Sequence, residues 1–160
     1  MRVIFFDIDG VLNTTKTTRM SCGFHFVDTR KVLRLREIVE RTGAELVMSS
    51  SWRYGFMPDA LWYEKEGVVQ LEAEFRRLRC PKWVDATPWV SGAKRQKEIF
   101  TWLARHPEVD EFIIIDDVGE ELTWYKDRLV LTDPRVGLNK ERMEQAIKML
   151  GEIECISKTI

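Results

Sequence analysis

Met1-Arg2-Val3-Ile4-Phe5-Phe6-Asp7-Ile8-Asp9-Gly10-Val11-Leu12-Asn13 opens the chain and decides its fold. Val3–Phe6 is a short apolar run closed by acidic and glycine turn residues, the pattern of a strand buried on both faces. The same pattern returns at Leu46–Met48 before Ser49-Ser50-Ser51, at Phe112–Ile115 before Asp116-Asp117, and at Leu129–Leu131, with a weaker run at Trp83–Asp85. Helical periodicity fills the gaps. Asp28 is placed to cap a helix through Glu40 that Gly43 closes, with Val32, Leu35, Ile38 and Val39 on one face. Leu71–Leu78 and Lys94–Ala104 read as helices, and Asn139 as the cap of a last one carrying Met143, Ala146, Ile147 and Leu150. Strands alternating with helices predict an α/β architecture: a Rossmann-like, doubly wound parallel sheet of about five strands.

The chain has 160 residues, a length that fits a single domain, and 44% of them are hydrophobic, enough for a core of its own. Lys+Arg 25 against Asp+Glu 26 excludes a strongly basic nucleic-acid binder. The charge is divided locally. Arg76, Arg77, Arg79, Lys82, Lys94, Arg95 and Lys97 form a basic run, and Glu108 to Glu121 an acidic one. Cys22, Cys80 and Cys155 are odd in number and lack CxxC spacing, so neither a zinc site nor a disulfide framework follows. The first apolar run is too short to span a membrane and lacks a signal-peptide pattern, so the expectation is a reduced, cytoplasmic protein.

In open α/β sheets, ligands bind beyond the carboxyl ends of the strands. There the sequence sets Asp7 and Asp9, Ser49–Ser51, Asp116 and Asp117, and a helix opening at Lys94-Arg95. Asp7 and Asp9 are two apart, so in extended backbone their side chains point the same way. Converging carboxylates repel unless a cation neutralises them, and a few carboxylates with water suit Mg²⁺. One carboxylate can attack phosphorus, a second can serve as acid and base, and hydroxyl and lysine groups can hold phosphate oxygens.

FFDIDGVLN resembles the first motif of the haloacid dehalogenase superfamily, the DxDG signature of its phosphatases. LVMSSSWR, a lysine opening a helix, and IIIDD are similar to motifs two, three and four, in that order. GAKRQKEIFTWL and VLTDPRVGLN bring the likeness closest to the small, capless domain described in Swiss Army Knife RNA-repair proteins. The resemblance implies a Mg²⁺-dependent phosphomonoesterase with an aspartyl-phosphate intermediate. It makes Asp7 the nucleophile and a metal ligand, and Asp9 the general acid/base with its carbonyl on the metal. Ser49, with Ser50 a close second, binds phosphate, Lys94 is the third-motif cation with Arg95 the runner-up, and Asp116 and Asp117 are metal ligands. Residues 11 to about 27 form a flap, and the cap is minimal or absent. The expected partner is a phosphorylated substrate, a nucleotide or nucleic-acid end, with no membrane.

A receiver domain places its lysine on the last strand, whereas here Lys94 precedes the Asp116-Asp117 pair; a dinucleotide fold needs a GxGxxG turn that is absent. The competing reading is a noncatalytic or regulatory module that binds phosphate or nucleic acid. Arg53 reads equally as a substrate contact or a surface residue. Most of the six tryptophans are expected to be buried or half-buried, with Trp52 and Trp89 placed to stack on a base.

Overall fold

The computed structural model describes residues 1–153; Cys155 lies outside them. In chain order the elements are β1 (Arg2–Phe6), β2 (Met20–Ser21), β3 (Phe24–His25), α1 (Thr29–Thr42), β4 (Glu45–Met48), α2 (Trp62–Arg77), β5 (Asp85–Ala86), α3 (Arg95–Leu103), β6 (Glu111–Asp116), β7 (Leu129–Leu131) and α4 (Lys140–Leu150). The main sheet is parallel, in the order β5-β4-β1-β6-β7. The chain starts in the central strand, builds out to β4 and β5, then crosses to β6 and β7 on the other side. The strand order therefore reverses at β1, and a crevice opens at its carboxyl end.

The strand residues alternate between two cores, as a period of two requires. Ile4, Phe6, Leu46, Met48, Ile113 and Ile115 pack with Val32, Leu35 and Ile38 of α1, Leu71 and Phe75 of α2, and Met143 and Ile147 of α4. Val3, Phe5, Val47 and Ile114 face the other way, onto Ile99 and Trp102 of α3. Both faces are covered, which is why the runs are apolar without alternation.

The predicted strands all form, each within two residues of its expected bounds. Gly43 takes the left-handed conformation at the end of α1, with φ 66°. Asn139 caps α4, its Oδ1 accepting from the Arg142 N–H at 2.9 Å. Asp28 does stand at the head of α1, but its carboxylate accepts from Thr17 Oγ1 and Lys31 instead of capping the helix. The larger departure is α2, which begins nine residues before the expected Leu71. Gly67, Val68 and Val69 are poor helix formers that hid its first half. Glu64 starts it, Oε2 accepting from the Leu61 N–H at 2.7 Å.

Within the expected flap, β2 and β3 form a hairpin whose turn, Cys22-Gly23, has positive φ at both residues (50° and 84°), as a tight right-twisting hairpin requires. The hairpin docks on α2. Ser21 Oγ donates to Gln70, Phe24 packs on Tyr63, and Arg19 forms a two-pronged ion pair with Glu74. Hydrogen bonds from Arg77 and then Arg19 hold the Glu74 carboxyl down at about 2. A carboxyl depressed in the fold stabilises it above the unfolded value, near 4.5, and loses that contribution as pH falls toward about 2. Thermal melts are thus expected to show wild type above Glu74→Gln at pH 5 and the gap closing toward pH 2.5. A gap constant across that range would rule the coupling out.

Among the described residues no helix is long and apolar enough to cross a membrane. Cys22 and Cys80 are free, and burial pushes the Cys80 thiol up to about 12, which leaves it unreactive.

Candidate active site

The alternation that builds the core also aims the acidic residues. Asp7 continues the parity of Val3 and Phe5, and Asp116 that of Ile114, so both side chains leave the sheet on the α3 side. The register pairs Phe6 with Ile115, and the Asp7 N–H donates to Ile115 O at 3.0 Å. Two carboxylates distant in sequence thus become neighbours at the central crevice.

Both are buried, Asp7 at 4% exposure and Asp116 at 0%. Arg95, the first residue of α3, neutralises them: one Nη1 donates to Asp7 Oδ2 at 2.6 Å and to Asp116 Oδ2 at 2.5 Å. Their other oxygens accept backbone N–H groups, Ile8 to Asp7 at 2.7 Å and Val118 to Asp116 at 2.9 Å. Asp117 joins them, and the three carboxylates offer ligand atoms all within 4.8 Å of one another. Burial, then the charge of Asp7, raises Asp116 to about 7 against the pull of Arg95. The same two causes raise Asp117. Burial works against the Arg95 charge, but Asp7 and Asp116 outweigh it and keep the guanidinium protonated.

Three carboxylates against one guanidinium leave an excess of negative charge in a half-enclosed place. The donor set is all oxygen. These features fit a hard divalent cation such as Mg²⁺. The backbone also makes room for Asp117: a Cβ on Gly10, at φ +74°, would stand 2.3 Å from Asp117 Oδ2.

Asp9 is exposed, and its carboxylate lies outside the three-carboxylate group. Two donors orient it: Asn13 Nδ2 to Oδ1 at 2.8 Å and Trp52 Nε1 to Oδ2 at 3.1 Å. Asn13 also donates to His25 O in the hairpin and accepts from the Gly10 N–H. Asn13 was not singled out in the sequence, although a position four residues after Asp9 in a tight turn is within reach of it. The cleft that holds Asp7, Asp9, Arg95 and Asp117 is also lined by Asn13, His25 and Ser51, with a volume of about 430 Å³.

Of the three serines after β4, the one that lines this cleft is Ser51, not Ser49 or Ser50; Thr14 and Thr15 also line it. Ser49 and Ser50 are fully buried; Ser50 Oγ accepts from the Trp52 N–H at 3.3 Å, and Ser49 Oγ has no partner among the described residues. Lys94, the first choice for the third-motif cation, is the exposed N-cap residue of α3 and pairs with no described residue. The reason is one of angle. At the cap the backbone is extended (φ −72°, ψ 156°), and the side chain that turns into the crevice is that of the next residue, Arg95. Arg53 is neither a surface residue nor part of the cleft. It is buried, Nη1 donates to the carbonyls of Ser49 and Ser50, and Nη2 pairs with buried Glu98 at 2.6 Å.

The basic run does not form one face. Arg77 pairs with Glu74, Lys82 with Glu72, and Arg95 turns into the carboxylates. Trp83 and Trp102 are core residues and Trp52 is half-buried, but Trp62, Trp89 and Trp124 are more than half exposed, contrary to the expectation for most of the six. Trp89 lies at a separate groove with Phe56 and Pro88, away from the carboxylates. His106 stacks on Trp102 at the end of α3 and accepts no part in the cleft.

A family model described as the HAD domain in Swiss Army Knife RNA repair proteins matches residues 3–143. No curated protein and no solved structure is significantly similar to the chain.

Proposed function

The chain belongs to the family of HAD domains in Swiss Army Knife RNA repair proteins, and from that membership we propose a Mg²⁺-dependent phosphomonoesterase that acts on nucleotides or nucleic-acid ends through an aspartyl-phosphate. The observation that carries the reading is the convergence of Asp7, Asp116, Asp117 and Arg95 beside an oriented Asp9, at the carboxyl end of the central strand. The RNA-repair description of the family supports the substrate class.

In this scheme Asp7, Asp116 and Asp117 hold the cation. Bound Mg²⁺ would draw charge from the phosphoryl oxygens. Asp7 forms a bond to phosphorus as the ester oxygen leaves, and Asp9 gives that oxygen its proton. Asp9 then removes a proton from water as the water oxygen attacks phosphorus. Inorganic phosphate departs, Asp7 is regenerated as a carboxylate, and Asp9 is protonated again. Arg95 and the Ser51 hydroxyl stabilise the equatorial oxygens, and Arg95 holds the Asp7 carboxylate in place through its 2.6 Å hydrogen bond.

The test is phosphate release from 3′- and 5′-phosphorylated oligonucleotides, mononucleotides, a phosphopeptide and sugar phosphates, with Mg²⁺ and with chelator. Release that needs Mg²⁺ and favours the nucleotides is expected; no release from any ester would overturn the proposal. Within the same assay Arg95→Ala is expected to lose about 10²-fold or more in turnover, the cost of one preorganised charge-stabilising donor. Lys94→Ala is expected to change turnover by less than about threefold, since a solvated charge contributes little. The reverse order would restore Lys94 to the third-motif position.

A further inference from the structure

A second cavity, about 330 Å³, adjoins the carboxylate cleft and shares Asp9 and Ser51 with it. It lies between the hairpin and α2. Its walls are Phe24, Trp52, Tyr54 and Tyr63, with Glu64 and the buried Gly67 on α2. Glycine at 67 lets α2 lie close to the Trp52 ring, since a Cβ there would already stand 3.5 Å from the indole, in van der Waals contact. The Tyr54 and Tyr63 hydroxyls bond no described residue, and Glu64 spends one oxygen on the Leu61 N–H. The cavity therefore presents aromatic faces with a few unspent polar groups, the composition of a ligand site of small-molecule size.

Its position says which part of a substrate enters. Resting on the reading above, Asp9 protonates the leaving oxygen. Asp9 stands on the boundary between the two cavities, with the phosphoryl group on the side of Asp7 and Arg95. The alcohol that departs must then lie on the other side, against Trp52. That ring is also the one whose Nε1–H bonds Asp9 Oδ2 at 3.1 Å.

We propose that this aromatic cavity is the leaving-group subsite and receives the base of one terminal nucleoside, stacked between the hairpin and α2. The volume is of the order of a small-molecule site and accommodates a nucleoside. Stacking on aromatic side chains is worth ~1–3 kcal/mol per base and tolerates every base, while the tyrosine hydroxyls and Glu64 can meet the base edge. Trp52 then acts as a positioning residue, because the ring that carries the base also sets the orientation of the acid. Phe24 brings the hairpin into the subsite, so the ion pair of Arg19 with Glu74 helps to hold its outer wall.

The experiment compares kcat/KM for a ribonucleoside monophosphate, ribose 5-phosphate and a phosphotyrosine peptide in wild type and Tyr63→Ala, and follows indole N–H signals by NMR as unphosphorylated nucleoside is added. Trp52→Phe assigns the Trp52 signal. Wild type is expected to prefer the nucleotide over ribose 5-phosphate by about tenfold or more, in line with the stacking of one base. Tyr63→Ala is expected to raise KM for the nucleotide several-fold more than for ribose 5-phosphate, narrowing the preference between them; Tyr63→Phe keeps most of it. The Trp52 signal moves with nucleoside in wild type. Equal use of ribose 5-phosphate and nucleotide, a phosphotyrosine peptide preferred to every nucleotide, or a Trp52 signal indifferent to nucleoside would each overturn the subsite. Absence of all turnover with a nucleoside-sensitive Trp52 signal would uphold the subsite and sink the catalytic reading instead.

Discussion

Asp7→Asn is expected to lower phosphate release by about 10³-fold or more, an increase of ~4 kcal/mol in the barrier, while the protein stays folded. An amide in place of the carboxylate is a poor nucleophile toward phosphorus. The fold has little to lose. Asparagine keeps an oxygen for the Ile8 N–H, and Arg95 keeps Asp116 as its anionic partner. Part of what raises Asp116 to about 7 is the charge of Asp7, and that repulsion goes with the substitution. A carboxyl raised in the fold withdraws stability as pH climbs from its ordinary value, near 3.8, toward about 7. In chelator at pH 8 the variant is therefore expected to melt no lower than wild type. Turnover retained by a folded Asp7→Asn protein would remove Asp7 from the chemistry. A melting temperature far below wild type would show that the carboxylate cluster is held together for stability.

The second large effect falls on a residue outside the cleft. Arg53→Ala is expected to destabilise the protein by about 3–5 kcal/mol, read as the urea midpoint, because it leaves the Glu98 carboxylate buried with the Val90 N–H as its remaining donor. For a domain of this size the melting temperature should drop by on the order of 10 °C. The carbonyls of Ser49 and Ser50 lose their donor as well, so the turn that carries Ser51 loosens. Arg53→Met with Glu98→Met separates the two consequences. Replacing a buried ion pair by apolar side chains of similar size is often neutral, so stability should largely return. Activity should not, because neither methionine can donate to the two carbonyls. Full recovery of both would mean that Arg53 serves the ion pair alone; a loss of under about 1 kcal/mol in Arg53→Ala would mean that water replaces the pair.

The fold was legible in the apolar runs. Val3–Phe6, Leu46–Met48 and Phe112–Ile115 are bounded on each side by charged or polar residues that break the apolar pattern, and the helices between them carry a periodic apolar face. Asp7, Asp9, Asp116 and Asp117 were legible for the same reason: charged residues at the ends of buried strands stand out against the pattern. The alternation within β1 and β6 even carries which way Asp7 and Asp116 point. The start of α2 was not legible, because Gly67, Val68 and Val69 weaken the helical signal locally and the hairpin and Trp52 packed against that stretch do not appear in it.

What the linear chain determined by itself is the strands of the parallel sheet, their order of chemistry and the four acidic residues placed at their ends, since burial and strand period are local properties. Tertiary structure alone decided between neighbours. The sequence puts Lys94 ahead of Arg95 as the third-motif cation, whereas the angle at which α3 leaves its cap turns Arg95 onto Asp7 and Asp116. Ser49, Ser50 and Ser51 are identical in composition, and the turn after β4 buries the first two and leaves the third on the cleft. Trp52 meets Asp9 across 43 positions, and Arg53 meets Glu98 across 45. These choices depend on where side chains 20 or more positions apart come to rest, which no local pattern carries.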